Sequence, residues 1–305
     1  MTRLGRATRS RVVLVALLGA LPCLYSLRAA DAQSETRTVD SSRSARVLTL
    51  RSEGPLMVRI AAGSVVIGSS AEEVLAAAAQ CTREPLSHRC SEQTFANELG
   101  RRTISLPSFW LDRTEVRVSD YARCVAAGAC PPAAYASGAE RFSRADFPVT
   151  FVRFVDARDY CKFRGARLPT EAEFERAARG AHGRAYPWGD LYNAHVCNHG
   201  RLALMPNDDG DGYAELAPVG AYPDGRTPDG ILDLSGNVAE WQADAYRERY
   251  QDPPPDDGDA VRRVVRGGSF ASGAAWLRGA ARDSAAPDTQ RPDLGFRCAR
   301  SAEEP

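Results

Sequence analysis

Two acidic segments carry the residues best suited to hold a hard cation. Asn207-Asp208-Asp209-Gly210-Asp211-Gly212 concentrates oxygen donors between glycines that let the backbone fold around an ion, and calcium is the natural occupant. Asn207, Asp209, Asp211 and Gly212 fall at the steps of an EF-hand loop, but its twelfth position is Pro218 and not a bidentate glutamate, so that motif is rejected. A solvated acidic turn explains the segment as well. In Asp233-Leu234-Ser235-Gly236-Asn237-Val238-Ala239-Glu240-Trp241, two carboxylates bracket a Gly-Asn turn that can also present carbonyls; an Asx-type turn is the alternative. His195 and His199 stand four apart but lack a third ligand at a fixed step, and the Asn and Gly around them predict a loop. They are read as surface residues. Gly267-Gly268-Ser269 lacks the spacing of a nucleophile elbow, a phosphate loop or a dinucleotide fingerprint.

Residues 1–32 read as a secretory signal: an Arg-bearing start, an apolar stretch from Val12 to Leu27, and Ala30-Asp31-Ala32 as a cleavage site. Gly19, Pro22 and Ser26 interrupt the apolar stretch, which argues against an uncleaved anchor. Ala20-Leu21-Pro22 before Cys23 does not make a lipobox. No membrane association is expected after cleavage, and a periplasmic or secreted location follows. The whole chain has 39 Lys+Arg and 39 Asp+Glu; without five arginines and Asp31 of the leader, 34 basic residues face 38 acidic ones. A nucleic-acid partner is disfavoured. Seven cysteines remain, and in an oxidising compartment Cys81 with Cys90 and Cys124 with Cys130 are the pairs that proximity suggests. Spacing alone does not fix the connectivity, and no zinc-type spacing occurs.

These residues need a scaffold. Residues 33–54 read as a linker, and 55–303 as a domain. Met57 to Ile67 predicts a hairpin turning at Ala62-Gly63-Ser64, Glu72 to Gln80 a helix, Cys81 to Arg101 a surface excursion closed by its own disulfide, and Ile104 to Leu111 a strand. Ser119 is expected to cap a helix reaching Ala127, and Asp156 to open one reaching Arg164. Thr170-Glu171-Ala172-Glu173 is a capping box ahead of Phe174, Ala177 and Ala178. Glu171, Glu173 and Glu175 are read as cap and solvated helix face, not as acid–base groups. From Gly180 to Gly236 recurrent Pro, Gly, Asp and Asn predict polar loops, not a doubly wound sheet.

Together these stretches resemble the formylglycine-generating enzyme family, also called the sulfatase-modifying-factor family. The matching segments, in family order, are FWLDRTEVRVSDY (Phe109 to Tyr121), FPVTFVRFVDARDYCKFRGARLPTEAEFERAARG (Phe147 to Gly180), YPWGD (Tyr186 to Asp190), DGYAELAPVGAYP (Asp211 to Pro223), DLSGNVAEW (Asp233 to Trp241), RVVRGGSF (Arg263 to Phe270) and DLGFRCA (Asp293 to Ala299). The resemblance runs from about Gly63 to Arg300 and implies an α+β fold related to C-type lectins, with little regular structure and bound calcium. One calcium site would fall on the side chains of Asp233 and Glu240 and the carbonyls of Gly236 and Val238. Another would take Asp211 and the Tyr213 carbonyl, with Asn198 and the His199 carbonyl as looser partners. The resemblance also implies a long-range disulfide from Cys161 to Cys298, leaving Cys197 as the odd thiol.

Members that make formylglycine hold copper on two cysteines just after the GGS-aromatic motif; here those positions are Ser272 and Leu277. A hydroxyl and a hydrocarbon cannot replace two thiolates, so copper and formylglycine formation are not expected, and no catalytic residue is assigned. The expected role is an exported, calcium-binding recognition module for a peptide, protein or glycan, with Ser272, Trp276, Arg278 and Arg282 lining its groove. The alternative is a formylglycine-type or non-heme-iron oxidoreductase, although the three-His set of iron-using relatives, carried on a separate helical domain, is missing. A purely structural surface protein is the third possibility. Fold resemblance does not choose among them.

Overall fold

A computed structural model describes residues 49–50, 54–84, 90–135, 138–200, 209–250, 252–253, 255 and 261–302. The expected leader, most of the expected linker, and Asn207 and Asp208 lie outside the described residues. Strands β1 (Thr49–Leu50), β2 (Met57–Ile60) and β3 (Gly63–Ile67) precede helices α1 (Ala71–Thr82) and α2 (Glu92–Phe95). Strands β4 (Arg102–Leu106) and β5 (Phe109–Asp112) lead to helices α3 (Val118–Ala126), α4 (Phe154–Phe163) and α5 (Glu171–Arg179). After a long stretch of turns come β6 (Ala239–Ala245), β7 (Arg263–Arg266), β8 (Arg282–Ala285), β9 (Leu294–Gly295) and β10 (Ala299–Ser301).

Among the described residues the strands form three sheets, ordered β1-β2-β5-β10, β3-β4 and β8-β7-β6-β9, antiparallel except where β6 meets β9. The expected hairpin is therefore wrong. β2 pairs with β5 and β3 with β4, because Val58 and Ile60 bury against Phe109, Leu111 and Phe174 while Val65 and Ile67 bury against Tyr250. The single strand expected from Ile104 to Leu111 is likewise two, broken around Pro107, which has no N–H for a ladder. β1 lies inside the stretch read as linker and pairs with Met57 and Val58.

Helix starts follow backbone partners more than side-chain type. α3 begins at Val118, with Ser119 inside it, since the amides of Val118 and Ser119 donate to the carbonyls of Phe147 and Ala145. Asp156 sits three residues into α4, accepting from the Arg153 amide at 3.0 Å. The Thr170–Glu173 box is present as read, with reciprocal bonds of 3.2 and 2.8 Å. The largest core packs Tyr121, Tyr160, Trp241 and Phe296 around the Cys161–Cys298 disulfide, and Cys81–Cys90 and Cys124–Cys130 are also bonded. Among the described residues no helix is long and apolar enough to cross a membrane.

Candidate functional site

A cavity of about 250 Å³ opens beside the turn that follows β7. Gly267 and Gly268 take positive φ (93° and 64°), which aims the chain around its rim. A side chain on Gly268 would approach Leu277 Cδ2 to 2.9 Å and Ser272 Cβ to 3.2 Å, so the two positions of interest flank this glycine. Ser272 is partly exposed, lines the cavity and accepts from the Ser269 amide at 2.9 Å. Leu277 is fully buried against Tyr186 and Cys197. Ser269 donates to Asp293 at 3.1 Å, and Arg291 pairs with the same carboxylate at 2.9 Å.

Trp276 and Arg282 line this cavity, and Arg278 does not. Its guanidinium is buried behind the loop and makes two bonds to Glu98, at 2.6 and 2.9 Å. Arg282 and Arg266 form the cavity floor on top of α5. Arg282 binds both oxygens of Glu171 (2.6 and 3.0 Å), and Arg266 reaches Glu175 (2.9 Å) and Glu171 (3.2 Å). This overturns the solvated-face reading of α5. Glu171 and Glu175 share the inward stripe with Phe174 and Ala178, where a carboxylate is tolerated because buried arginines from other elements meet it. Burial pushes the Glu175 carboxyl up, but Arg266 and Arg179 outweigh it and hold the group below the usual range. Glu173 is the cap as read, although it too is buried and pairs with Arg167 at 2.7 Å.

Asn198 and His199 join the two acidic segments. The Asn237 amide donates to the Asn198 carbonyl at 2.9 Å, and any side chain on Gly236 would collide with that carbonyl. Asp211 accepts from the amides of His199 (2.6 Å) and Tyr213 (3.0 Å), so the four residues expected at the first site are neighbours. Asn198 is 1% exposed and donates to Asn237 at 3.0 Å, while its Oδ1 has no hydrogen-bond partner among the described residues. At the second, Asp233 adopts φ 57° and accepts from the Gly220 amide at 2.6 Å. Glu240 is engaged by Arg297 on both oxygens, at 2.7 to 3.0 Å, and is not a free carboxylate.

Sequence reasoning missed Glu115. It is fully buried, accepts from Asn237 at 3.0 Å, and leaves Oε2 without a hydrogen-bond partner among the described residues. Its only signal was a carboxylate set between Thr114 and Val116 in a matching segment. Burial, then Asp233, raises the Glu115 carboxyl well above the ordinary range, and burial also raises Asp233 and Glu240. Among the described residues no three His, Cys, Asp or Glu side chains converge to hold a metal, so a cation here would draw also on amide and carbonyl oxygens. His195 is exposed on a short turn, and His199 is half-buried against Tyr192. Cys197 is free and buried; desolvation, then Asp211, pushes its thiol up to about 12.

Residues 45–302 match the sulfatase-modifying factor enzyme 1-like domain. The chain belongs to that family. Family relatives include the inactive C-alpha-formylglycine-generating enzyme 2 of Bos taurus, 40% identical over 167 residues, covering 52% of each chain. The formylglycine-generating enzyme of Streptomyces coelicolor is also 40% identical, over 175 residues that cover 52% of this chain and 54% of that protein. The chain thus matches about half the length of these curated relatives. The structure of PvdO from Pseudomonas aeruginosa superposes with a TM-score of 0.63 at 24% identity, covering 84% of this chain and 98% of that one. It supports the α+β fold of the sulfatase-modifying factor family, and the fold alone.

Proposed function

We propose that this chain is an exported, calcium-stabilised recognition member of the sulfatase-modifying factor family. Its ligand, a peptide, protein or glycan, would enter the cavity beside Ser272, Trp276 and Arg282. The observation that carries this reading is the pair flanking Gly268: a hydroxyl and a buried hydrocarbon. Copper(I) prefers two soft thiolates, so the metal does not fit these residues. Cys197 is a single thiol, and burial holds it neutral. A relative at 40% identity whose name calls it inactive agrees with this reading. The test is direct. Purified protein given copper and a cysteine-bearing sulfatase peptide should yield no aldehyde, whereas a peptide and glycan array should retain a ligand. Ser272→Trp, which fills the cavity, should weaken that ligand at least tenfold with melting temperature unchanged. Aldehyde formation, or ligand binding indifferent to Ser272→Trp, sinks the proposal.

The donors fit calcium. Among the described residues Asn198 Oδ1 is buried without a donor, and the buried carboxyls of Glu115 and Asp233 lie close enough to interact electrostatically with Arg297, which Glu240 already binds. A divalent cation would favour the ionised forms that burial disfavours and tie the Asn198 and Gly236 loops together. Asn198, Asp211 and the carbonyls of His199 and Tyr213 would hold one ion; Asp233 and the carbonyls of Gly236 and Val238 the other, with Glu240 shared with Arg297. Calcium at a hundred times its dissociation constant should stabilise the fold by about 2.7 kcal/mol per site. Melting with calcium and then with chelator reads this, and equal curves for the native chain would remove calcium from the proposal. Three disulfides favour an oxidising compartment, which supports export.

A further inference from the structure

The cavity loop is gripped from behind by two chain segments. From the first, which is α1 with the turn after it, Glu84 accepts from the Ala275 amide at 3.1 Å. Gly273 makes room for that carboxylate, since a Cβ there would collide with it. From the second, Ser91–Leu99, Phe95 packs its ring on Trp276 with centroids 4.9 Å apart, and Glu98 takes the two bonds from Arg278. Asn97 and Arg282 add a reciprocal pair: the Asn97 amide group donates to the Arg282 carbonyl at 3.1 Å, and the Arg282 side chain to the Asn97 carbonyl at 2.7 Å. Of the residues gripped, Trp276 and Arg282 line the cavity, Ala275 precedes Trp276, and Arg278 lies behind the same loop. Cys81–Cys90 cross-links the last turn of α1 to the start of the second segment.

That disulfide differs from the others in access. Cys81, Cys124, Cys161 and Cys298 are 0% exposed and Cys130 is 7%, whereas Cys90 is partly exposed. Exchange with an external thiol depends on reaching a sulfur, so Cys90 offers the first point of attack. We propose that Cys81–Cys90 is a thiol-sensitive clamp that sets how firmly the cavity wall is held. As regulation of a ligand site, this rests on the recognition reading above. A dithiol reductant supplies the electrons. Its thiolate attacks the Cys90 sulfur, the S–S bond breaks and Cys81 leaves as a thiolate that takes a proton. The second reductant thiol then displaces Cys90 from the mixed disulfide, so two cysteine thiols form as the reductant becomes a disulfide. With the link open, Phe95 still packs on α1 and Glu98 still accepts from the Ser69 hydroxyl at 2.8 Å, but the turn carrying Glu84 loses its tether to Cys90, and the loop that Glu84 holds through the Ala275 amide loosens.

The full chain is titrated with a small dithiol, thiols are alkylated and mapped by mass spectrometry, and amide hydrogen exchange is measured on the same samples. Cys81 and Cys90 should be labelled before the other disulfide cysteines. Amides of Ala275 to Leu277 should then exchange at least tenfold faster while those of α4 keep their rates. Earlier opening of either other disulfide, or unchanged exchange at 275–277 once Cys81 and Cys90 are labelled, overturns the clamp. Replacing Cys81 and Cys90 by Ser should give the fast exchange without reductant, and replacing Cys124 and Cys130 should not; the opposite pattern also overturns it. No ligand enters these measurements, so their failure is separable from failure of the recognition reading.

Discussion

Glu175→Ala is expected to cost about 3–5 kcal/mol, the typical loss when one partner of a buried ion pair is removed. The carboxylate is fully buried and accepts from Arg266 (2.9 Å), Arg179 (2.8 Å), the Gly68 amide (2.7 Å) and the Tyr250 hydroxyl. Alanine would leave the fully buried Arg266 beside the cavity with the neutral carbonyls of Gly279 and Ala280 and with Glu171, a carboxylate it already shares with Arg282. The damage should therefore reach the cavity floor as well as global stability. Urea unfolding measures the loss of global stability, and ligand affinity measures the damage to the cavity floor. A loss under 1 kcal/mol would mean that water relaxes around Arg266 and that the network is not a packed unit. Glu175→Gln keeps the shape and one acceptor and should lose less, which separates charge from packing.

Replacing Cys161 and Cys298 together by Ser should cost a similar amount, by a different route. The bond closes 137 residues, for which the chain-entropy account gives about 5 kcal/mol through the unfolded state. Its position adds a functional consequence. The Cys298 amide donates to Asp112, and neighbouring Arg297 holds Glu240 and the carbonyls of Asp112, Leu232 and Asp233. Loosening this strand should free Glu240 from its guanidinium and disturb the proposed calcium site. Expected are a lower denaturation midpoint and a calcium response weaker than that of the native chain. An unchanged midpoint would count against the disulfide as a principal tie.

Local sequence is enough where a residue's partners lie close to it in the chain. The Thr170–Glu173 box was legible because its donors and acceptors lie within four residues, and Gly267-Gly268-Ser269 because the fingerprints it lacked are defined by spacing. The hairpin from Met57 failed because both strands chose distant partners, a choice made by which core Ile60 and Val65 enter. α5 is the sharper case. Glutamates after a cap look solvated until the arginines that meet them, about 91 and 111 residues further on, are folded into place. Glu115 stayed invisible for the same reason: nothing near it in sequence reveals that Asp233 and Asn237 become its neighbours.

The amino-acid order by itself determined the family and above all the absence of thiols at positions 272 and 277, since the atoms a side chain owns do not depend on folding; it suggested two short-range disulfides by proximity and, through the resemblance, Cys161–Cys298, but left the connectivity open. Only the tertiary structure decided that Arg278 turns away from the cavity, that Glu240 is bound by Arg297, and that Glu84, Phe95 and Glu98 hold the loop from behind. Charge burial and packing are set by neighbours brought from far along the chain, and no local pattern encodes them.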